Sequence, residues 1–364
     1  MKALILAGGK GTRLRPLSCT RPKLLFPLLN KPLLDWTIES LAITGLSGVT
    51  LAVKHMAEIF MQRYGKSKRG MKITYSKEKR PMGTGGAIKY AEQLIGYEEP
   101  FLVLNGDIFT KIDYKKLLKK HAENNALATI AVYRVEDPSR YGTVKLTEKN
   151  QITQFIEKAR HGEAPSNLIN AGIYVLNPKI FDRIPRGRPV SIEREIFPKL
   201  AEEGSLFGHE FKEIWMDIGK PRDYLAANWI LLDSEENKRG IGKGVNLGKE
   251  TTLNDPVMVD SGVDIGQKSK IGPYAIIGRD SVLGRKVILE NSVVFSDAVI
   301  SDYASVKGAI IGEGATIGRG AKINEGCVIG DHAIIKGNIK VSKDVTICPS
   351  KDVTENVPES TRII

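Results

Sequence analysis

Cysteine is nearly absent from this chain of 364 residues: Cys19, Cys327 and Cys348 are the only three. They lie too far apart for a metal knuckle or a disulfide framework, so a reducing compartment is expected. The five histidines are isolated, and no pair has the spacing of a zinc site. Aromatic residues make up 7% and are not interleaved with the basic ones, which argues against a nucleic-acid surface despite a net charge of +12. That charge suits a solvated exterior which also attracts polyphosphate substrates. Long apolar runs are missing as well, since none approaches the ~20 residues of a membrane span. The opening "MKALILAGGKG" has an apolar run too short for a secretory leader and reads as a first strand entering a loop. A cytoplasmic protein with no nucleic-acid or membrane partner is the expectation.

What is present is a composition of ordinary folded domains, 41% hydrophobic and 26% charged. The length favours two domains. Up to about residue 232, the β-rich runs "KALILA", "VTLAVK", "KITYS" and "FLVLN" alternate with stretches such as Leu33 to Thr44 and Gly85 to Leu94, which read as helices. That alternation predicts an α/β fold with a Rossmann-like, mostly parallel sheet over residues 1–233, whose ligands bind at the carboxyl ends of the strands. A closing helix is expected from Tyr224 to Asp233. The charged, glycine-rich "SEENKRGIGKGVN" then marks a boundary near residues 234–245.

From Leu247 the chain reads in sixes, "LGKETT", "LNDPVM", "VDSGVD", "IGQKSK", and so on through "LGRKVI". The frame slips by four residues and resumes from Val293 to about Thr346. An aliphatic residue in first place and a frequent glycine in second predict coils stacked on an inward aliphatic core, with glycine at the corners. This repeat resembles the left-handed parallel β-helix of hexapeptide-repeat proteins, three hexads to a coil, here over residues 245–364 with a C-terminal tail.

The densest chemical signal is "LILAGGKGTRLRPLSCTRPKLLFPL". Gly8, Gly9 and Gly11 leave backbone N–H groups unshielded for a triphosphate, and Arg13, Arg15, Arg21 and Lys23 add fixed positive charge. It matches neither the dinucleotide nor the P-loop pattern, and by itself would equally fit a tight turn with surface arginines. Asp107 closes "FLVLNGD", and Asp217 sits in "IWMDIGKPRDY". Alone, each would fit a helix cap or turn, but two strand-end carboxylates could also hold magnesium together with phosphate oxygens.

Taken whole, the first segment resembles the signature of the nucleotide-sugar pyrophosphorylases, L-A-G-G-x-G-T-R-L-x-P-L-T-x-x-x-P-K, with Ser18 where threonine is usual. The resemblance implies a sugar-1-phosphate nucleotidyltransferase. Arg13 and Lys23 would hold the triphosphate and stabilise departing pyrophosphate, and Ala7, Gly8, Gly9, Gly11 and Thr12 would line the nucleotide. Asp107 and Asp217 would coordinate Mg2+. "EKRPMGTGGAI" is similar to the family's base-binding stretch, with Gly85 for the usual alanine, so Glu78, Gly83 and Thr84 would face the nucleoside. A carboxylate at Glu78 accepts hydrogen bonds and donates none, which complements the N1–H and N2 donors of guanine; the alternative is a surface pair with Lys77, Lys79 or Arg80. In "RYGTV", "FIEKA" and "NAGIYVL" the resemblance implies sugar contacts from Gly142, Glu157 and Asn170, with Lys158 on the 1-phosphate. Ala159 replaces the family's proline, and "ARHGEAPS" is a longer excursion.

"PVSIEREIFPKLAEEG", "EIWMDIGKPRDYL" and the Arg-Ile-Ile ending resemble mannose-1-phosphate guanylyltransferases. The implied substrates are GTP and mannose 1-phosphate, with glucose 1-phosphate and UTP or dTTP as the runner-up. A second activity as an acetyltransferase, for which His332 is the only histidine in the repeat, and a non-catalytic regulatory subunit are the other readings. A homo-oligomer formed through the β-helix is expected.

Overall fold

Strand Lys2–Leu6 runs through the middle of a ten-stranded sheet, hydrogen-bonded in parallel to Gly48–Val53 on one side and Phe101–Asn105 on the other. Every residue of GVTLAV is buried, as expected of a parallel strand covered on both faces. Beyond Gly48–Val53 lies Met71–Lys77, also parallel. The far half of the sheet is mixed: Leu168–Leu176 pairs antiparallel with Phe101–Asn105 and with Ala128–Arg134, Gly142–Leu146 antiparallel with Ile152–Glu157, and Leu206–Glu210 parallel with Ala128–Arg134. The expected parallel order therefore holds at the centre of a sheet that is mixed as a whole. Antiparallel neighbours arise where short connections follow residue 128.

This computed structural model describes residues 1–160, 163–234 and 237–364. His161 and Gly162 of the expected excursion, and Glu235 and Glu236 of the expected boundary, lie outside the described residues. The chain divides into two compact units, Met1–Gly9 with Leu34–Asp217, and Lys10–Leu33 with Ile218–Ile364. Helices Leu33–Ala42 and Gly83–Tyr90 stand close to the expected positions, and the closing helix runs Pro221–Leu232, starting at a proline in its first turn. Among the described residues no helix is long and apolar enough to cross a membrane.

In the second unit three sheets of eight, seven and six strands are each built from parallel neighbours, which is a parallel β-helix. Leu247 pairs with Ile265 and Ile265 with Leu283, a rise of eighteen residues per coil. The interior is a column of fully buried aliphatics. The single four-residue slip is corrected to two five-residue steps between inward residues, Leu289 to Val294 and Val306 to Ile311, where the register of successive coils shortens to seventeen. Glycine serves the expected corners at some positions, with Gly262, Gly314, Gly320 and Gly326 at positive φ, while other corners at positive φ are not glycine, among them Lys268, Asp280 and His332. A Cβ on Gly266, by contrast, would lie 2.6 Å from the backbone of the next coil, so the second place of the hexad is set by coil-to-coil clearance.

In the first unit His121, on helix Tyr114–Glu123, is 4% exposed and its Nδ1 lies 2.9 Å from Thr129 Oγ1. Burial lowers its pKa from 6.5 to about 4. The folded state thus binds its proton less readily than the unfolded chain, so stability is fully present above about pH 6.5 and is lost as the pH falls toward 4. The ceiling is roughly 3 kcal/mol, at about 1.4 kcal/mol per tenfold change in proton affinity. We expect His121→Gln to flatten the fall of Tm between pH 6.5 and 4, measured by calorimetry; an unchanged acid limb would assign that loss to other groups, such as His209, whose pKa burial also lowers.

Candidate functional site

The expected site residues fall in both units. In the first, Ala7 N–H donates to Ala52 O (2.8 Å) as the central strand ends. A side chain on Gly8 would point at Lys54 and at Glu78, whose Oε2 would be 4.0 Å from its Cβ, and one on Gly9 would meet open space. Glu78 follows Met71–Lys77, its N–H held by Val53 O, and its Oε2 accepts a hydrogen bond from Met82 N (3.3 Å). Its carboxyl sits above the usual range because burial outweighs the Met82 N–H and the charge of Lys54. No ion pair joins it to Lys77, whose partner is Glu58 (3.6 Å).

Glycines at 83, 85 and 86 are poor helix formers, and the reason for them is a neighbouring chain segment. A Cβ on Gly83, which has φ +70°, would lie 2.4 Å from Val190 O, and one on Gly85 would lie 3.0 Å from Val190 Cγ1. The helix is pressed on residues 188–192. The Thr84 hydroxyl is likewise turned to protein, donating to Glu193 Oε2 (2.5 Å) and accepting from Ile192 N (3.1 Å).

Glu193 is a buried carboxylate that sequence reasoning missed. It also accepts from Ser191 Oγ (2.7 Å) and from Tyr174 OH (3.3 Å), and that hydroxyl in turn accepts from Asn170 Nδ2 (3.0 Å). The structure thus joins Thr84 and Asn170 through Glu193 and Tyr174. Asn170 opens a bulge in its strand, and its Oδ1 accepts from Gly172 N (2.9 Å). Gly142 stands opposite Glu157 in register, and a Cβ there would lie 2.6 Å from Glu157 Oε2. Burial first, and then Glu193, raises the Glu157 pKa, against Lys158 and Arg194. Lys158 is exposed and has a left-handed backbone, φ 54°.

Asp107 follows Phe101–Asn105, tied to the central strand by Gly106 N–H donating to Leu6 O (3.1 Å). Strands Ile108–Thr110 and Trp215–Asp217 pair antiparallel with Asp217 opposite Ile108, so Asp107 and Asp217 stand at the same end of this pair. Arg140 Nη2 lies 3.9 Å from Asp217 Oδ2. Two residues before Asp107, the buried Asn105 Oδ1 has no hydrogen-bond donor among the described residues. Among the described residues no group of three or more histidine, cysteine or acidic side chains is arranged as a protein-only metal cage. Two strand-end carboxylates, with an orphaned amide oxygen two residues before one of them, offer oxygen donors only. That chemistry fits a hard divalent cation completed by phosphate oxygens and water, and does not fit zinc.

In the second unit the segment Lys10–Leu33 folds as short single turns, Thr12–Leu14, Leu17–Cys19 and Lys23–Leu25. Gly11 has φ +58°, and a Cβ on it would lie 3.3 Å from Ser18 Cβ and 3.4 Å from Lys23 Cβ. Ser18 Oγ donates to Gly11 O (2.8 Å), so serine makes the bond a threonine would make. Lys23 is only 7% exposed, whereas Thr12 and Arg13 are exposed.

Two family models match the chain: "Nucleotidyl transferase" over residues 2–234 and "GMPPB C-terminal domain" over residues 253–364. The mannose-1-phosphate guanyltransferase beta-B of Xenopus laevis is 40% identical over 271 residues, which cover 73% of this chain and 73% of that protein. The mannose-1-phosphate guanyltransferase of Yarrowia lipolytica is 43% identical over 242 residues, 65% of this chain and 66% of that one. The crystal structure of HddC from Yersinia pseudotuberculosis complexed with GMP-PN superposes with a TM-score of 0.54 at 31% identity, covering 63% of this chain and 99% of HddC. With the glycine turn, the strand-end aspartates and a family model over more than half its length, this chain belongs to the nucleotidyl transferase family.

Proposed function

We propose that this protein transfers GMP from GTP to mannose 1-phosphate, giving GDP-mannose and pyrophosphate. The observation that carries the choice of base is the Glu78 carboxylate, which borders the Gly8 turn in a protein whose relatives at about 40% identity are mannose-1-phosphate guanylyltransferases. An acceptor-only side chain suits guanine, whose Watson–Crick edge offers two adjacent donors.

In this reading the nucleophile is a phosphate oxygen of the sugar 1-phosphate, already ionised at neutral pH, so no general base is needed. It attacks the α-phosphorus in line, one P–O bond forms, and the bond to the pyrophosphate oxygen breaks. Ala7, Gly8, Gly9, Gly11 and Thr12 present backbone donors to the triphosphate, and Arg13 and Lys23 neutralise charge gathering on the leaving group. Lys158 holds the sugar phosphate. Gly142, Glu157 and Asn170 orient the hexose, and Glu78 the nucleoside, with Gly83 and Thr84 contributing backbone only. Asp107 and Asp217 would hold Mg2+, which when bound would supply positive charge against the phosphates. Positioning both substrates contributes most, on the order of 7 to 11 kcal/mol in intramolecular models. We assign this chemistry to residues 1–233 and expect a cytoplasmic homo-oligomer assembled through residues 245–364.

The test is a substrate matrix: GTP, UTP, dTTP, ATP and CTP crossed with mannose, glucose, galactose and N-acetylglucosamine 1-phosphates, followed by pyrophosphate release. We expect the highest kcat/KM for GTP with mannose 1-phosphate. Equal or better turnover of glucose 1-phosphate with UTP or dTTP would reassign the substrates, and no turnover with any pair would favour a regulatory subunit.

A further inference from the structure

The β-helix holds a buried acid that is also bonded to residues near the start of the chain. Asp331 is 1% exposed. Its Oδ1 accepts from the neighbouring coil at Glu313 N (2.8 Å). Its Oδ2 accepts from Thr20 Oγ1 (2.5 Å) and from Arg21 Nη2 (2.6 Å). The other arm of the same guanidinium donates to Glu313 Oε2 (2.8 Å). Arg21 is thus spread across two carboxylates from adjacent coils while its Cζ lies 5.2 Å from the Phe295 ring centroid. Among the described residues its Nε is buried without a hydrogen bond, and the guanidinium is held by those two acids.

Thr20 and Arg21 immediately precede Pro22 and Lys23. On the other side of Lys23 the chain is fixed again within the same unit. Phe26 packs edge-on against Phe295 at 6.3 Å, Tyr224 OH donates to Pro27 O, Leu29 N–H donates to Asn228 Oδ1 (3.0 Å), and Asn30 Nδ2 donates to Ile277 O (2.9 Å). Two sets of anchors therefore bracket the single turn that carries Lys23. Arginine forks hold a planar geometry that lysine cannot reproduce.

We propose that Asp331, with Glu313, is a positioning residue for nucleotide transfer: through Thr20 and Arg21 it sets the Lys23 turn, so the β-helix takes part in triphosphate binding without touching substrate. This rests on the assignment of Lys23 to the triphosphate made above. Each acid acts on one substrate only, since the anchored segment bears no residue assigned to the sugar.

The experiment uses the full chain and Asp331→Asn, Glu313→Gln and Arg21→Lys, with GTP binding measured by calorimetry in Mg2+ and the two KM values measured separately. We expect Asp331→Asn to weaken GTP binding and raise its KM by roughly tenfold, the size of a typical coupling between contacting groups, with the KM for mannose 1-phosphate unchanged. Combining it with Arg21→Lys should add little further loss. Unaltered GTP binding in Asp331→Asn and Glu313→Gln overturns the proposal, and so does a loss that follows Tm and strikes both KM values alike. Should Asp331→Asn fail to fold, Glu313→Gln, whose side chain is 40% exposed, and Arg21→Lys decide by the same criteria. A wild-type chain that binds no nucleoside triphosphate would remove the assigned reaction and this inference with it, which is a distinct result from normal wild-type binding with insensitive variants.

Discussion

Asp107→Asn and Asp217→Asn should each lower kcat by roughly 10²- to 10³-fold while moving Tm by no more than about 2 °C. Asparagine keeps the shape and an oxygen but removes a full negative charge. At the shared end of the pair Ile108–Thr110 and Trp215–Asp217, that charge is what would draw a divalent cation in between protein and phosphate. The structural cost is small by comparison. Arg140 reaches Asp217 at 3.9 Å with its side chain 39% exposed, and such a pair contributes under about 1 kcal/mol. Loss of activity should be accompanied by a higher Mg2+ requirement, because a weakened site still binds at higher metal concentration. Asp113 is the control: it caps helix Tyr114–Glu123 by accepting from Lys115 N and Lys116 N. Asparagine caps equally well there, so Asp113→Asn should leave activity unchanged. Near-normal kcat for either strand-end variant across a Mg2+ titration would remove that residue from the metal site. A large fall in Tm would assign it to structure.

What the sequence made legible was local. The hexad pattern is legible because each aliphatic residue repeats a position in one coil, and the coil can be recognised without knowing its partner. The signature loop is legible as a turn because its glycines fall within a few residues, and Gly11 takes φ +58° there. Glu193 was not legible. Its hydrogen bond with Thr84 spans 109 residues, and nothing near residue 193 marks this glutamate, among the acids of "SIEREIF", as the buried one. Asp331 was hidden in the same way, since its bond to Arg21 spans 310 residues and its hexad "IGDHAI" places it at an ordinary corner. Gly83 was expected to face the nucleoside, and the structure sets Val190 against the space a side chain would take at Gly83 and Gly85. A motif tells that space is needed. Only packing tells what fills it.

Antiparallel pairing in the second half of the sheet has the same origin. Strand direction depends on which strand lies beside which, and the run "NAGIYVL" carries an apolar pattern compatible with either sense. Its bulge between Asn170 and Tyr174 is foreshadowed by Gly172 alone, which takes φ +72°. The bulge is consequential, because it lets Asn170 reach Tyr174 OH and so puts a residue assigned to the sugar within two hydrogen bonds of Glu193.

Glu78→Gln should cut the preference for GTP over UTP and dTTP, expressed as a ratio of kcat/KM, by roughly 10²-fold, mostly by weakening GTP. Glutamine presents one acceptor and one donor where the carboxylate presents two acceptors, so at least one guanine donor would face an N–H and lose its partner. The side chain sits where such a change would be felt: its Oε2 borders the Gly8 turn and is already engaged by Met82 N–H. That contact orients the carboxylate, and glutamine can keep it through its own oxygen, so Tm should change little. The same logic sets a pH dependence. Burial holds the Glu78 pKa above the ordinary carboxylate value, so as the pH falls Glu78 gains its proton sooner than an exposed glutamate would. A protonated Glu78 donates, as glutamine does. Selectivity for GTP in the wild-type enzyme should therefore decline at the acid end of the activity range, where kcat/KM for the pyrimidine nucleotides persists, while Glu78→Gln should show a flat ratio across the same range. Parallel pH profiles for the wild type and the variant, or a base preference indifferent to the substitution, would mean that Glu78 does not read the base.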